Sequence, residues 1–440
     1  MSGHRSAALC AALCAAFCFG ALACSDSPVV PPGDDGPVDL RRIVAIGNSL
    51  TAGYQDGALY ASSQQLSIPA LLARQAGVEA FVQPLVADPG IERPGSSGGR
   101  LEIVSLFPPL LGRVSPAGAP LAPAWPRPYN NLGVPGALLA EALTAESEAT
   151  SLGGNPFFDL VLRGRGTWAE QAAELDATFV TVWLGSNDVL GYASRGADDT
   201  LAPPISPAVF RGHYGALLAA LLPTTRQIAL FNIPDVTAIP FITTIPSVVV
   251  DFSTLQPMRG PDGQTIPLSG PKGPLAAADL VTLAAGPALL AGDGIPVAAG
   301  GTGRPLPDDV VLDVAEQAIS RAAVDGYNAV IADLAAQHDL ILVDAHALLN
   351  QLATTGIQTD GGLLTGQLLV GGAFSLDGIH PTSKGAGLLA NALIEAINTR
   401  YGARIPLVSI ASLPGVNLPG GDRAPDALRG VPVYQGGAEF

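Results

Sequence analysis

The residue types that acyl transfer requires stand in three widely separated stretches of the chain. Ser49 ends the run IVAIGNS, in which the apolar residues Ile43 to Ile46 give way to Gly47 and Asn48. Asn187 lies in GSNDVLGY, and Asp377 and His380 share SLDGIHP. A serine hydroxyl attacks a carbonyl only when a base takes its proton, the base must be held in one tautomer, and donors must await the oxyanion. His380 is a base near neutral pH, and Asp377, at i−3 in a glycine-containing turn, can reach its Nδ1. Pro381 biases His380 away from helical backbone angles, so the ring projects from a loop just before a helix. Asn187 offers an amide donor without the negative charge that an aspartate would set against the oxyanion.

Each of these residues also has a plain structural reading. Ser49 alone is equally a helix N-cap after a strand, Asp377 with His380 a capped turn, and Asn187 turn chemistry. The surrounding elements bear on the choice. Short, uncharged apolar runs at Ile43 to Ile46, Phe179 to Leu184, Ile228 to Phe231 and Leu340 to Val343 read as strands buried on both faces of a parallel sheet. Helical patterns at Ala137 to Glu148, Pro207 to Leu222, Val314 to Gln337 and Ser383 to Arg400 lie between or after them. The third opens with Asp313 and Glu316, spaced as a capping box. This alternation predicts an α/β layered fold with crossover connections, and such sheets place their sites in loops after the strands' C-terminal ends. Ser49, Asn187 and the Asn232–Asp235 loop all follow strand-like runs, so the candidate groups converge on one sheet edge.

Taken together and in order, the blocks resemble those of the SGNH hydrolases, also called the GDSL esterase/lipase family. Gly47-Asn48-Ser49-Leu50 resembles the first block and implies Ser49 as nucleophile. Asn131-Leu132-Gly133-Val134-Pro135-Gly136 resembles the second and implies the Gly136 N–H as an oxyanion donor, with Gly133 as second choice. Gly185-Ser186-Asn187-Asp188 resembles the third and adds Asn187, beside the N–H of Ser49. Asp377-Gly378-Ile379-His380-Pro381 resembles the last and completes a Ser49–His380–Asp377 triad. The resemblance implies a three-layer α/β/α sandwich with a mainly parallel, flavodoxin-like sheet, and ester hydrolysis without a cofactor. Asn48 departs from the pattern, which usually has aspartate there: it keeps size and an acceptor oxygen but loses the charge.

Competing sites are weaker. Gly95-Ser96-Ser97-Gly98-Gly99 matches G-x-S-x-G but lacks the preceding strand that gives the motif its meaning. Asp344 and His346 read as a polar cluster at a strand end or an acid/base pair, and His213 and His338 as structural residues. No His or Cys spacing suits a metal.

The 440 residues carry 52 glycines, 39 prolines and a formal charge of −16 at pH 7. Without basic clusters, nucleic acid is excluded as a partner. Residues 1–23 read as a signal peptide, containing an apolar stretch that ends at Ala21-Leu22-Ala23, with all four cysteines at or before Cys24. Leu-Ala-Cys followed by Ser25-Asp26-Ser27 favours a lipidated Cys24 and a membrane anchor on the bacterial cell envelope, with an ordinary cleavage site as the alternative. Residues 24–40 then form a Pro/Gly/Asp linker, 41–402 the hydrolase domain with insertions at 84–130 and 238–308, and 403–440 a Gly/Pro-rich tail. The apolar second insertion favours small-molecule or lipid acyl esters. A glycan O-acetyl esterase would need aromatic platforms, for which Trp125, Tyr129 and Trp168 are the candidates. A catalytically silent, surface-anchored binding protein is the third reading.

Overall fold

The apolar runs become the interior of a parallel sheet. The computed structural model describes residues 37–78, 80–106, 109–198, 200–251, 254 and 256–416. Its main sheet has strands β1 (Ile43–Gly47), β2 (Asn131–Gly133), β3 (Phe179–Trp183), β4 (Ile228–Phe231) and β5 (Ile341–Val343). All pairings are parallel, and the spatial order is β2-β1-β3-β4-β5. This is the flavodoxin-like order, and its direction of winding reverses between β1 and β3. Every residue of β1 to β4 is buried, whereas β5 at the edge exposes Leu342. The fold is therefore the α/β architecture expected from the alternation of strands and helices.

Helices cover the sheet in two sets. They are α1 (Ser49–Ala52), α2 (Ile68–Gln75), α3 (Trp168–Glu174), α4 (Asn187–Ala193), α5 (Pro207–Leu221), α6 (Val314–Gln337), α7 (Ala345–Thr354) and α8 (Ser383–Tyr401). In one set α8 packs on α2, α7 and β5; in the other α6 packs on α5 and α4, and α5 on α3. Helix α6 begins as its capping box requires: Asp313 Oδ1 accepts from the N–H groups of Ala315 and Glu316, and Glu316 Oε2 accepts from Asp313 N–H at 2.7 Å. Such a cap contributes about 1 kcal/mol.

Two expectations change. Strand β2 has only three residues and no β-branched side chain, so it was legible as a motif and not as a strand. The helix expected over Ala137 to Glu148 is replaced by short 3₁₀ turns at Leu139–Glu141 and Glu148–Thr150. Buried Leu139, Ala142 and Ala145 recur every three residues, the 3₁₀ period. The Glu141 carboxylate also accepts from Leu138 N–H and, across the loop, Leu152 N–H, both at 2.7 Å, which holds the segment in turns.

The insertions are not structureless. The first contains an antiparallel hairpin, Leu101–Leu106 with Pro109–Arg113. The second gathers three two-residue ladders around its own apolar cluster, which includes Val249, Leu268, Val281 and Leu306. The start of the tail packs on α8, where Asn391 and Asn398 each pair with a backbone N–H and C=O at Val408 and Ile405. The signal segment 1–23, Cys24, most of the linker and residues 417–440 lie outside the described residues. Among the described residues, no helix is long and apolar enough to cross a membrane.

Candidate active site

The Ser49 turn is shaped by its neighbours. Strand β1 ends at Gly47, where an added Cβ would sit 2.1 Å from Thr51 Oγ1 and 2.9 Å from the Trp183 carbonyl, so only glycine fits this tight strand-to-helix passage. Asn48, not Ser49, is the cap of α1: its Oδ1 accepts from Leu50 N–H at 3.0 Å. Ser49 is thereby the first helical residue, with its hydroxyl free for another partner.

That partner is His380. Ser49 Oγ lies 2.8 Å from His380 Nε2, and His380 Nδ1 lies 2.9 Å from Asp377 Oδ2. With the ring proton on Nδ1, facing the carboxylate, the Ser49 hydroxyl donates to Nε2. Asp377 Oδ1 also accepts from the N–H groups of Ile379 and His380 and from Ser375 Oγ, while Oδ2 accepts from Gly57 N–H at 2.7 Å. Burial alone would raise the Asp377 pKa. The charge and ring N–H of His380, with the backbone donors, outweigh burial and hold it down at about 2. The Tyr54 ring leans on the imidazole, 4.8 Å between centroids.

The expected oxyanion donors come together unequally. Asn187 starts α4 at the end of β3, and one proton of its amide goes to the Ala137 carbonyl at 2.9 Å, leaving the second available. Ser49, His380 and Asn187 line one cavity of about 50 Å³, whose wall includes Leu190, Val236 and Phe374. Gly136 is not part of that wall. It is exposed, with φ +79°, in the loop after β2, and is tied to the cavity through its neighbour Ala137. Gly133 is unsuited to the second-choice role, because its N–H already donates to Asn131 Oδ1 at 3.0 Å.

Asn48 is 1 % exposed, and its Nδ2 has no hydrogen-bond partner; nor has the buried hydroxyl of Ser186 on the same cavity. The capping oxygen that aspartate would supply is thus retained, at the expense of a buried donor left unmatched. His346 stands apart from the site: its Nδ1 faces the Ile233 carbonyl, while Asp344 accepts from Asn232 Nδ2 and Ala347 N–H. Ser96 bonds within its own loop, to the Gly98 carbonyl. Among the described residues, no cluster of His, Cys, Asp and Glu could hold a metal. Sequence reasoning missed Gly57, which caps the acid of the site from a segment 320 residues away; its one signal was the turn-forming pair Asp56-Gly57.

A parallel sheet of this order, with serine, histidine and aspartate bonded in series at its switch point, defines the class: an SGNH-type α/β hydrolase. The family described as GDSL-like Lipase/Acylhydrolase matches residues 43–393, and the chain belongs to it. It is accordingly an ester-hydrolysing enzyme.

No curated protein sequence matches the chain. Similar solved structures include a protein described as a GDSL-like lipase from Parabacteroides merdae, with 12 % identity over 82 % of this chain and 99 % of that one, at a TM-score of 0.35. The lipase/acylhydrolase of Enterococcus faecalis has 15 % identity over 82 % and 97 %, at 0.33. The extracellular lipase of Streptomyces rimosus has 14 % identity over 81 % and 98 %, at 0.33. Likenesses of this strength carry nothing about substrate.

Proposed function

We propose that the protein is an exported serine esterase acting on carboxylic acyl esters. Ser49 attacks the ester carbonyl, His380 Nε2 takes its proton and returns it to the leaving alkoxide, and Asp377 holds the ring and steadies the imidazolium. The N–H groups of Ser49 and Gly136 and the free amide proton of Asn187 receive the oxyanion, and water releases the acyl group by the reverse proton route. The observation that carries this reading is the unbroken hydrogen-bonded series from Asp377 through His380 to Ser49.

Two features favour acyl esters over acetylated glycans. The cavity at Ser49 is walled largely by aliphatic side chains, which suits an acyl chain better than a sugar. Of the three aromatic platform candidates, Trp168 is fully buried with Nε1 donating to the Leu132 carbonyl, Tyr129 is 2 % exposed, and only Trp125 reaches solvent. A silent binding protein would not need the ionised Asp377 and the aligned His380. The sequence of residues 1–24 supports export and a lipid anchor on Cys24; mass spectrometry showing an unlipidated mature terminus would remove the anchor.

The decisive experiment is a panel of activated esters of increasing acyl length and acetylated xylan, assayed with wild type and Ser49→Ala. Ser49→Ala should lower ester turnover by about 10⁴-fold or more. Retained turnover, or fluorophosphonate labelling of another serine, would sink the assignment; preference for acetylated xylan would select the glycan reading.

A further inference from the structure

Asp377 is held from two sides, and the second side has no counterpart in the motif. Asp56 is fully buried, and lies in the loop after α1 with φ +51°, the left-handed region that few side-chain-bearing residues other than Asn and Asp adopt. Gly57 follows at φ +66°. Gln55 and Ala58 exchange N–H···O=C bonds at 3.0 Å, so Asp56 and Gly57 are the two central residues of a tight hairpin turn, and their own N–H groups point outward to the Asp377 segment. Asp56 N–H donates to Ser375 Oγ at 3.0 Å, and that hydroxyl donates to Asp377 Oδ1 at 3.1 Å. Gly57 N–H donates directly to Asp377 Oδ2 at 2.7 Å, the oxygen that faces His380.

The Asp56 side chain closes the clamp. Its Oδ1 accepts from Leu376 N–H at 2.9 Å, one residue before Asp377. Its Oδ2 accepts from Tyr60 OH at 2.9 Å and from Gln55 Nε2 at 3.2 Å. Gln55 Oε1 in turn accepts from the Ser383 hydroxyl at the start of α8. The segment carrying Asp377 and His380 is thus gripped before and after by residues 55–57. The Gly57 carbonyl is itself braced by Tyr54 OH and Arg113 Nη1.

A buried carboxylate beside a second carboxylate is costly unless its hydrogen bonds are made, and Asp56 makes them to Leu376, Tyr60 and Gln55. Burial and the Asp377 charge both push the Asp56 pKa up, against the Leu376 N–H that lowers it. Retaining an acid there has a use if the site depends on what the acid holds.

We propose that Asp56 is a positioning residue of the active site, whose carboxylate and backbone N–H fix Ser375 and Leu376 so that Asp377 meets His380 in the productive geometry. The proposal rests on the Ser49–His380–Asp377 reading, since it assigns a support to that triad.

The test compares Asp56→Ala, Asp56→Asn and Ser375→Ala with wild type, on full-length enzyme whose working sites are counted by completed fluorophosphonate labelling. A loosened acid should lower kcat per counted site by about 100-fold in Asp56→Ala, with KM within about twofold, because misplacement of this kind acts on the transition state. Asp56→Asn keeps an oxygen for Leu376 N–H and should recover to within about fivefold of wild type, while Ser375→Ala, which breaks one link, should lose about tenfold. A purely structural role would reduce the number of countable sites and leave kcat per site unchanged, which overturns the proposal. So does an Asp56→Asn no better than Asp56→Ala, or a rise in KM at constant kcat. Should Asp56→Ala fail to fold, Ser375→Ala decides, and wild-type kcat in that variant overturns the proposal. Labelling of a serine other than Ser49 in the wild type would instead remove the underlying triad, whatever the variants do.

Discussion

The C-terminal edge of the main sheet and the insertion from 238 to 308 are built by opposite means. At the edge, the loops that carry Ser49 and Asn187 follow strands inside one continuous core, the Asp377–His380 segment leads into α8 packed on that core, and their polar atoms are held by partners far away in sequence. The insertion has two-residue ladders, many short turns and a small cluster of its own, and its bonds are mostly local. It touches the site where it begins: Ile239 lines the cavity and Phe241 N–H donates to the Gly378 carbonyl at 2.8 Å. Precision here comes from long-range closure onto a buried sheet, whereas a region with a private core can vary without moving the site. Variants at the edge should therefore cost activity with little stability, and variants inside the insertion the reverse.

The largest effect should come from Asp377→Asn. The amide keeps the size but no longer holds His380 in the tautomer that frees Nε2, so kcat/KM for an activated ester should fall by about 10⁴-fold. Because Asp377 is held at about 2, it stays ionised through the working range and should put no step of its own in the wild-type activity profile there. The folded pKa lies below the ordinary value, so this carboxylate stabilises the fold above about pH 4, and its contribution is lost as pH falls towards 2. An acid limb that follows Asp377 would break the contrast by making edge stability and edge activity one event.

Asn187→Ala should cost about 10²–10³-fold in kcat, the usual loss of one oxyanion donor, with KM little changed. It also frees the Ala137 carbonyl, so a larger loss would mean that the amide positions the Gly136 loop as well as the oxyanion. Leu268→Ala tests the other region. Leu268 is 2 % exposed within the insertion's own cluster, and truncation should cost about 2–4 kcal/mol of local stability. Hydrogen exchange should quicken across 245–311 while phosphonate labelling of Ser49 keeps its rate. Faster exchange in β1 or β3 would show that the two regions are not separable.

What was legible in the sequence follows the same division. The central strands and α6 could be read because burial on both faces and a capping box leave local signatures. Ser49, Asn187, Asp377 and His380 were singled out by residue type and spacing, and the structure brings Ser49, Asn187 and His380 to one cavity with Asp377 bonded behind the imidazole. Strand β2 was hidden by its length, and the turns at Leu139–Glu141 by an Ala/Leu/Glu composition that favours helix until Glu141 is claimed by Leu152 N–H. Asp56 and Gly57 could be read locally as a turn but not as a support for the site, because the partners that give them that role lie some 320 positions away. At Asn48 the lost charge could be read from residue type alone, whereas the surviving cap and the donor left buried without a partner depend on the folded turn.

The smallest effect sits where the two regimes meet. Asp188 follows Asn187, and its Oδ2 accepts from Leu139 N–H at 3.0 Å. Burial pushes its pKa up to about 7, opposed by that N–H and helped by the charge of Glu141. A folded pKa above the unfolded value means the folded protein holds a proton the unfolded chain has released. Stability attributable to Asp188 is therefore full below about pH 4, falls as pH rises to about 7, and is flat beyond. Asp188→Asn keeps an oxygen for Leu139 and removes the charge, so it should raise stability clearly at pH 8 and little at pH 4, read from denaturant midpoints at both pH values. If the gain is equal at both, the effect is packing and Asp188 does not titrate with folding. If the activity profile near neutrality moves with the substitution, the Asp188 charge acts on the site as well as on the fold, and the edge carries a charge whose cost in stability serves the oxyanion loop.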